Sequence, residues 1–215
     1  MTDVGKRVYR SDLRDGQARA TRRQIVTAAS RLFAERGYAA ATIDAVAKEA
    51  GVSRKTVFTS VGGKAELMKL AYDWAVTGDD EPVSMGNRPE VLALAEEPDP
   101  ARVLEKWCAM LSTQMARVAP MHAALRSAAD VDPQAHELFE TVQDQRLAGM
   151  RRPVALLTER GALRKGLSQK RAIDIVWLYV EPLQWELLVT RRGWSRAAYA
   201  DWLAASLKLP LLGLA

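Results

Sequence analysis

Apolar positions fall at helical spacing along most of this chain, and glycines and prolines interrupt them. Over residues 19–36, Ile25, Ala28, Ala29, Leu32 and Phe33 line one face of a predicted amphipathic helix, which Gly37 ends. Ile43, Val46, Ala47 and Ala50 repeat the pattern in a shorter helix. Thr42 is placed to cap that helix, and Asp44 sits in its first turn, where negative charge suits the helix dipole. Gly51 supplies a left-handed residue for a tight turn, Ser53 caps the next helix, and Val57 anchors that helix to the one before. Another helix opens at Lys64.

Residues 79–100 break the periodicity. Pro82, Pro89, Pro98 and Pro100 punctuate an acidic stretch that reads as a linker, with a short helix over VLALA. Beyond it, helices are predicted over 101–118, halted by Pro120, and over 121–129. A long one follows over 134–160, kinked or divided by Pro153. The last two cover 168–192 and 195–209, the second stopped by Pro210. No β-alternation competes, so the expectation is an all-α chain with domains at 19–78 and 79–215. Residues 1–18 lack the pattern and read as a basic arm, either mobile or following a minor groove or phosphates through Lys6, Arg7, Arg10 and Arg14.

The spacing within residues 42–61 carries a specific expectation. Ala47 is small where two helices would cross, Gly51 comes four residues later, and apolar Val57 six after that. A helix-turn-helix needs a small residue, a turn-former and an anchor in that order, so that its second helix enters a major groove. Arg54, Lys55, Thr56, Thr59 and Ser60 would project from this one, with no carboxylate among them. A plain helical hairpin with solvated charges is the alternative. Lys64 is a cation at the positive end of its helix, offset only by Glu66, a conflict that an approaching phosphate would relieve. Arg22 and Arg23 pose the same question, as phosphate contacts or as ordinary surface charge.

From about residue 19 to 78, the run RQIVTAASRLFAERGYAAATIDAVAKEAGVSRKTVF followed by GGKAELMKLA resembles the tetracycline-repressor-like (TetR) family of bacterial regulators. The resemblance implies a first helix supporting the reading head and a fourth helix relaying motion to a ligand-binding domain. It also implies a phosphate contact from Lys64. Three positions depart from the pattern: Phe58 replaces a tyrosine that touches phosphate, Val61 replaces a phenylalanine, and Lys55 stands where a small residue is common. These bear on operator sequence and on individual phosphate contacts, not on the motif. The candidate DNA-binding set is Thr42, Ser53, Arg54, Lys55, Thr56, Phe58, Thr59, Ser60 and Lys64. Within it Arg54, Lys55, Thr56 and Thr59 would read or brace bases, while Thr42, Ser60 and Lys64 would hold phosphates.

Charge agrees with that placement. Residues 1–70 hold 14 Lys and Arg against 7 Asp and Glu, whereas residues 71–215 hold 17 against 19. Positive charge is therefore gathered around the motif, as phosphate binding requires. No apolar run approaches the roughly 20 residues of a membrane span, the N-terminus has no apolar leader, and Cys108 is alone, so a cytoplasmic location is expected. His122 and His136 stand on separate predicted helices without metal-ligand spacing, and His122 reads as a surface or rim histidine. Nothing pairs a nucleophile with a base, so neither an enzyme nor a cofactor or metal is expected.

The second domain raises two further expectations. Residues 173–189, IDIVWLYVEPLQWELLV, are apolar on nearly every side and need cover from two directions. A buried central helix in a monomer is one solution. A homodimer is the other, as the last two helices supply in TetR-like proteins, with Ile173, Trp177, Val180, Leu188 and Trp202 as interface candidates. Trp107, Met110, Leu111, Met115, Met121, Phe139, Met150, Trp177 and Trp185 suit either plain core or a pocket for a small apolar or amphipathic effector. Glu181, before Pro182, can receive a ligand, pair with an arginine or cap the interface. The expected whole is a dimeric regulator, most simply a repressor released from a palindromic double-stranded operator by its effector. An activator, a ligand-independent regulator and a sequence-indifferent DNA-binding protein are the alternatives.

Overall fold

The computed structural model describes the backbone of residues 4–214 and the side chains of residues 14–214. Every regular element among them is helical. The chain divides into two compact units, Met1–Trp74 and Ala75–Ala215. The boundary thus falls inside a helix rather than after it.

The first unit holds α1 (Val4–Ala40), α2 (Ile43–Glu49), α3 (Arg54–Val61) and most of α4 (Lys64–Thr77). Helix α1 runs from Val4, so residues 4–18 extend it and do not form an irregular arm. The side chains of Lys6, Arg7 and Arg10 lie outside the described residues. At Gly37 the backbone leaves the helix with φ +75°, which ends the regular part where the glycine was expected to end it. Helix α1 packs on both α2 and α3. Its Ile25, Ala29, Leu32 and Phe33 share a core with Val46, Val57, Leu67, Met68 and Ala71, all essentially fully buried. Burial of each large side chain contributes about 1.5–3 kcal/mol.

The second unit contains α5 (Pro89–Leu92), α6 (Pro100–Ala129), α7 (Pro133–Gly149), α8 (Arg151–Glu159), α9 (Gln169–Tyr179), α10 (Pro182–Trp185) and α11 (Arg196–Leu212). Helix α6 packs against α7, α10 and α11. Leu104, Cys108, Val154, Leu157, Val176, Leu203, Leu207 and Leu211 meet in its core. Burial pushes the Cys108 thiol up to about 12, so the sulfur is inert packing.

Prolines in this unit act differently from one site to the next. Pro120 does not halt its helix: α6 runs through it to Ala129. Pro120 is exposed while Val118, Ala119, Met121 and His122 around it are buried, so packing holds the helix and the carbonyl deprived of a donor can be hydrated. Pro210 is likewise inside α11, which ends instead at Gly213; Arg164 donates from Nε to the Pro210 carbonyl (2.9 Å) and from its backbone to that of Leu211 (2.7 Å). Pro153 does divide its helix, at Met150.

The expected single helix over 168–192 is three pieces. Glu181, forced extended by Pro182 (φ −64°, ψ 125°), separates α9 from α10, and a π-helical turn covers Glu186–Arg191. The acidic segment over 79–100 is not a loose linker either. Arg88 grips both Asp79 oxygens (2.6 and 2.7 Å), Glu97 is buried with Lys106 on its carboxylate, and Arg160 caps the Ala95 carbonyl at 2.6 Å.

Candidate functional site

The turn between α2 and α3 is built by caps. Thr42 Oγ1 accepts the Ala45 N–H at 3.1 Å, and Ser53 Oγ accepts that of Thr56 at 3.0 Å. Each satisfies a donor that a helix start leaves open. Between them Gly51 takes φ +67°, and the Val52 N–H turns back to the Ala47 carbonyl at 3.0 Å. Val46, Ala47 and Val57 are buried between the helices, which leaves the other side of α3 outward.

On that outward side Arg54, Lys55, Phe58 and Thr59 are exposed, and Thr56 and Ser60 half-buried. The Ser53 and Thr56 hydroxyls are bonded to each other at 2.8 Å. Thr59 Oγ1 donates to its own helix at the Lys55 carbonyl (3.0 Å), which leaves an oxygen acceptor and a methyl for a partner. The surface is not free of carboxylates as the sequence of α3 suggests. Asp44 reaches across from α2, and its Oδ2 accepts a hydrogen bond from Arg54 Nη1 at 2.8 Å. The same guanidinium lies over the Phe58 ring, 5.5 Å from its centroid.

Lys64 is the fourth helix's first residue and meets the end of the first. Its Nζ donates to the Ala39 carbonyl at 3.0 Å and stands 4.4 Å from the centroid of the Tyr38 ring. Tyr38 in turn is buried and stacked on Phe33. The unfavourable cation at the start of α4 is therefore eased at the carbonyl end of α1. Tyr38 escaped the sequence reading because nothing local links it to Lys64.

The second unit contains a cleft of about 600 Å³. Trp107, Met110, Leu111 and Gln114 form one helical stripe of its wall; Thr77, Gly78, Met85, Val91, Arg117, Gly149 and Arg152 complete much of the rest. Arg117 donates from Nε to the Ala75 carbonyl at 2.9 Å, and Arg152 bonds the Gly86 carbonyl. Of the expected pocket residues only Trp107, Met110 and Leu111 line this cleft. Met115, Met121 and Trp185 are buried in packing, and Met150 lies against the core. Phe139 packs on His122 with ring centroids 5.4 Å apart, and Trp177 lies beneath Arg146 at 5.6 Å. Met85 and Val91 were missed because their segment reads as a separator.

Glu181 is also away from the cleft and resolves toward the arginine alternative. Its Oε2 pairs with Arg146 Nη1 (2.7 Å) and its Oε1 with His122 Nε2 (3.1 Å). His122 is 1% exposed, a buried partner and not a rim residue. Burial pushes the Glu181 carboxyl up, but bonding to His122 and the Arg146 charge outweigh it and hold it below its ordinary value.

Among the interface candidates only Val180 is withdrawn from the surface. Val180 is buried inside its own unit, and Ile173, Leu188 and Trp202 pack against the same core. The outward apolar side chains near them are Leu178, 61% exposed, with Leu187, Trp194 and Leu209. Among the described residues no cluster of three or more His, Cys, Asp or Glu could hold a metal, and no helix is long and apolar enough to cross a membrane.

Two short helices across a glycine turn, with a basic outward second helix, define a helix-turn-helix DNA-binding protein. Residues 25–71 match the family model of bacterial regulatory proteins of the tetR family. The chain is 28% identical over 184 residues to the HTH-type transcriptional regulator TtgR of Pseudomonas putida, covering 80% of this chain and 83% of that one. Its fold matches the fatty acid degradation regulator FadR of Bacillus halodurans with a TM-score of 0.68 at 18% identity, over 87% of this chain and 94% of the other. It also matches NalD, the secondary repressor of the MexAB-OprM multidrug efflux pump in Pseudomonas aeruginosa, with a TM-score of 0.65 at 19% identity, over 90% and 97%. Residues 25–71 thus carry the DNA-binding segment of the tetR family, whose members are regulators and not enzymes, and the chain is a DNA-binding regulator of transcription.

Proposed function

We propose that this regulator is a homodimeric repressor whose two α3 helices read a palindromic operator, and which a small amphipathic molecule releases. The observation that carries the proposal is the path of α4. Its first residue, Lys64, belongs to the reading head, while its last, Thr77, lines the cleft. A molecule bound in the cleft presses on one end of a helix whose other end helps set the head. Release then requires that the molecule bind the two conformers with different affinity.

The cleft suits such a molecule, with Trp107 and methionines offering apolar contact and Gln114, Arg117 and Glu90 offering polar groups. TtgR, a transcriptional regulator, and NalD, a secondary repressor, support the regulatory part of this reading. Leu178, Leu187, Trp194 and Leu209 are outward apolar side chains that a second copy would cover, and its reading head would meet the other half-site about 34 Å away. Lys55, Ser60 and Lys64 would brace phosphates around the Arg54 contact, and the cytoplasm is where such an operator lies.

The test is enrichment of bound duplexes from random DNA, followed by titration of the complex with amphipathic aromatic compounds. A palindrome released by a compound that no longer acts on Met110→Glu bears the proposal out. An enriched site that no such compound weakens defeats the effector part, and bound DNA without a consensus defeats the operator part.

A further inference from the structure

We propose that Asp44 and Phe58 are positioning residues that hold the Arg54 guanidinium for bidentate contact with a guanine in each operator half-site. This rests on α3 being the operator-reading helix. Arg54 is the first residue of α3, and the N-terminal residues of a recognition helix are the ones that reach base edges. Its side chain is long and exposed, yet two contacts restrain it. Asp44 Oδ2 accepts a hydrogen bond from Nη1 at 2.8 Å and so fixes one side of the planar fork. The Phe58 ring, 5.5 Å from Cζ, supports the face of the fork.

Five donors sit on a guanidinium, and one is used here. The others keep the parallel geometry that matches guanine O6 and N7.

The residue types fit this role better than any phosphate role. Phe58 has no hydroxyl to offer a phosphate, yet it is a large apolar side chain left 45% exposed beneath a cation. A carboxylate on the DNA-facing side repels phosphates, so Asp44 is accounted for by what it does to Arg54. The pair is 60% and 66% exposed, too solvated to be there for stability. It restricts where the arginine points.

The experiment enriches bound duplexes with the full-length wild type, R54A, D44N and F58A, and records base preference at every position and the salt dependence of binding. The expected wild-type site has a guanine that R54A ceases to prefer, with a drop of about ten- to a hundredfold at that position. D44N and F58A should each weaken preference for the same guanine about two- to fivefold, the contribution of an exposed pair. Preferences elsewhere and the salt slope should stay as in wild type, because neither side chain touches phosphate. A merely structural role would not move one base position alone. The proposal is overturned if D44N and F58A keep the wild-type guanine preference, or if D44N tightens binding to all sequences equally. A wild type that enriches no site overturns the operator-reading function as well, whereas an enriched site indifferent to D44N and F58A overturns only the positioning.

Discussion

Asp44 and Glu181 are both carboxylates that tie one helix to another, one in each unit, and their surroundings separate them. Asp44 meets Arg54 at 2.8 Å with both side chains mostly in water. Glu181 meets Arg146 at 2.7 Å and His122 at 3.1 Å, with those partners 10% and 1% exposed. Water and salt screen the first pair to little net energy, while the second acts in a medium where an unmatched charge is costly. Placement also differs. Glu181 stands at the break that Pro182 forces between α9 and α10, and it ties that break to α6 and α7. Charge inside the second unit holds helices together; charge outside the first is left for a partner molecule.

The largest effect that tests this contrast is removal of Glu181. Glu181→Ala leaves Arg146 and His122 without their shared acceptor and should cost about 3–5 kcal/mol, read from urea denaturation at fixed protein concentration. A loss below about 1 kcal/mol would place Glu181 with Asp44 and dissolve the distinction. The effect should also depend on pH in one direction. The folded-state value of Glu181 lies below the ordinary 4.5, so its stabilisation is complete above 4.5 and is lost as pH falls through the lower folded value. The gap between wild type and variant should therefore narrow only on acidification. A gap of constant size between about pH 6 and pH 3 contradicts the assignment.

The two units were not equally legible in the sequence, for a physical reason. In the first, short elements are bounded by residues whose effect is local: Thr42 and Ser53 cap, and Gly37 and Gly51 turn, where their chemistry says they should. In the second, tertiary packing overrules local signals. Pro120 and Pro210 remain inside helices because the residues around them are held by the core, whereas Pro182 breaks its helix. The acidic segment read as a linker is pinned by its own Arg88 and by Arg160, a partner 65 residues away that no local pattern announces. Helical spacing identified the cleft wall at Trp107, Met110 and Leu111 but could not tell it from the core stripe of Met115 and Met121. The charged face of α3 was visible; that Asp44 belongs to it was not, since Asp44 looks like a dipole residue of α2.

An intermediate effect belongs to the cap that makes the first unit readable. Ser53→Ala removes the acceptor of the Thr56 N–H and should cost about 1 kcal/mol. Hydrogen exchange should concentrate the loss in the first turn of α3, with α6 unaffected. Equal acceleration throughout both units would mean that the cap acts globally and that the first unit is not locally determined.

The smallest expected effect bears most directly on the comparison. Asp44→Asn removes a solvated ion pair and a charge in the first turn of α2, and the stability loss should stay below about 1 kcal/mol at low salt. In roughly 1 M salt the Debye length is only about 3 Å, so this deficit should vanish. The Glu181→Ala deficit should survive the same salt, because counter-ions cannot enter between buried partners. Denaturation of both variants at two salt concentrations therefore separates the carboxylates by mechanism as well as by size. If both deficits fade together, the Glu181 cluster is open to solvent and cannot be what fixes the α9–α10 break. If neither fades, Asp44 has a structural role in α2 beyond its pair with Arg54.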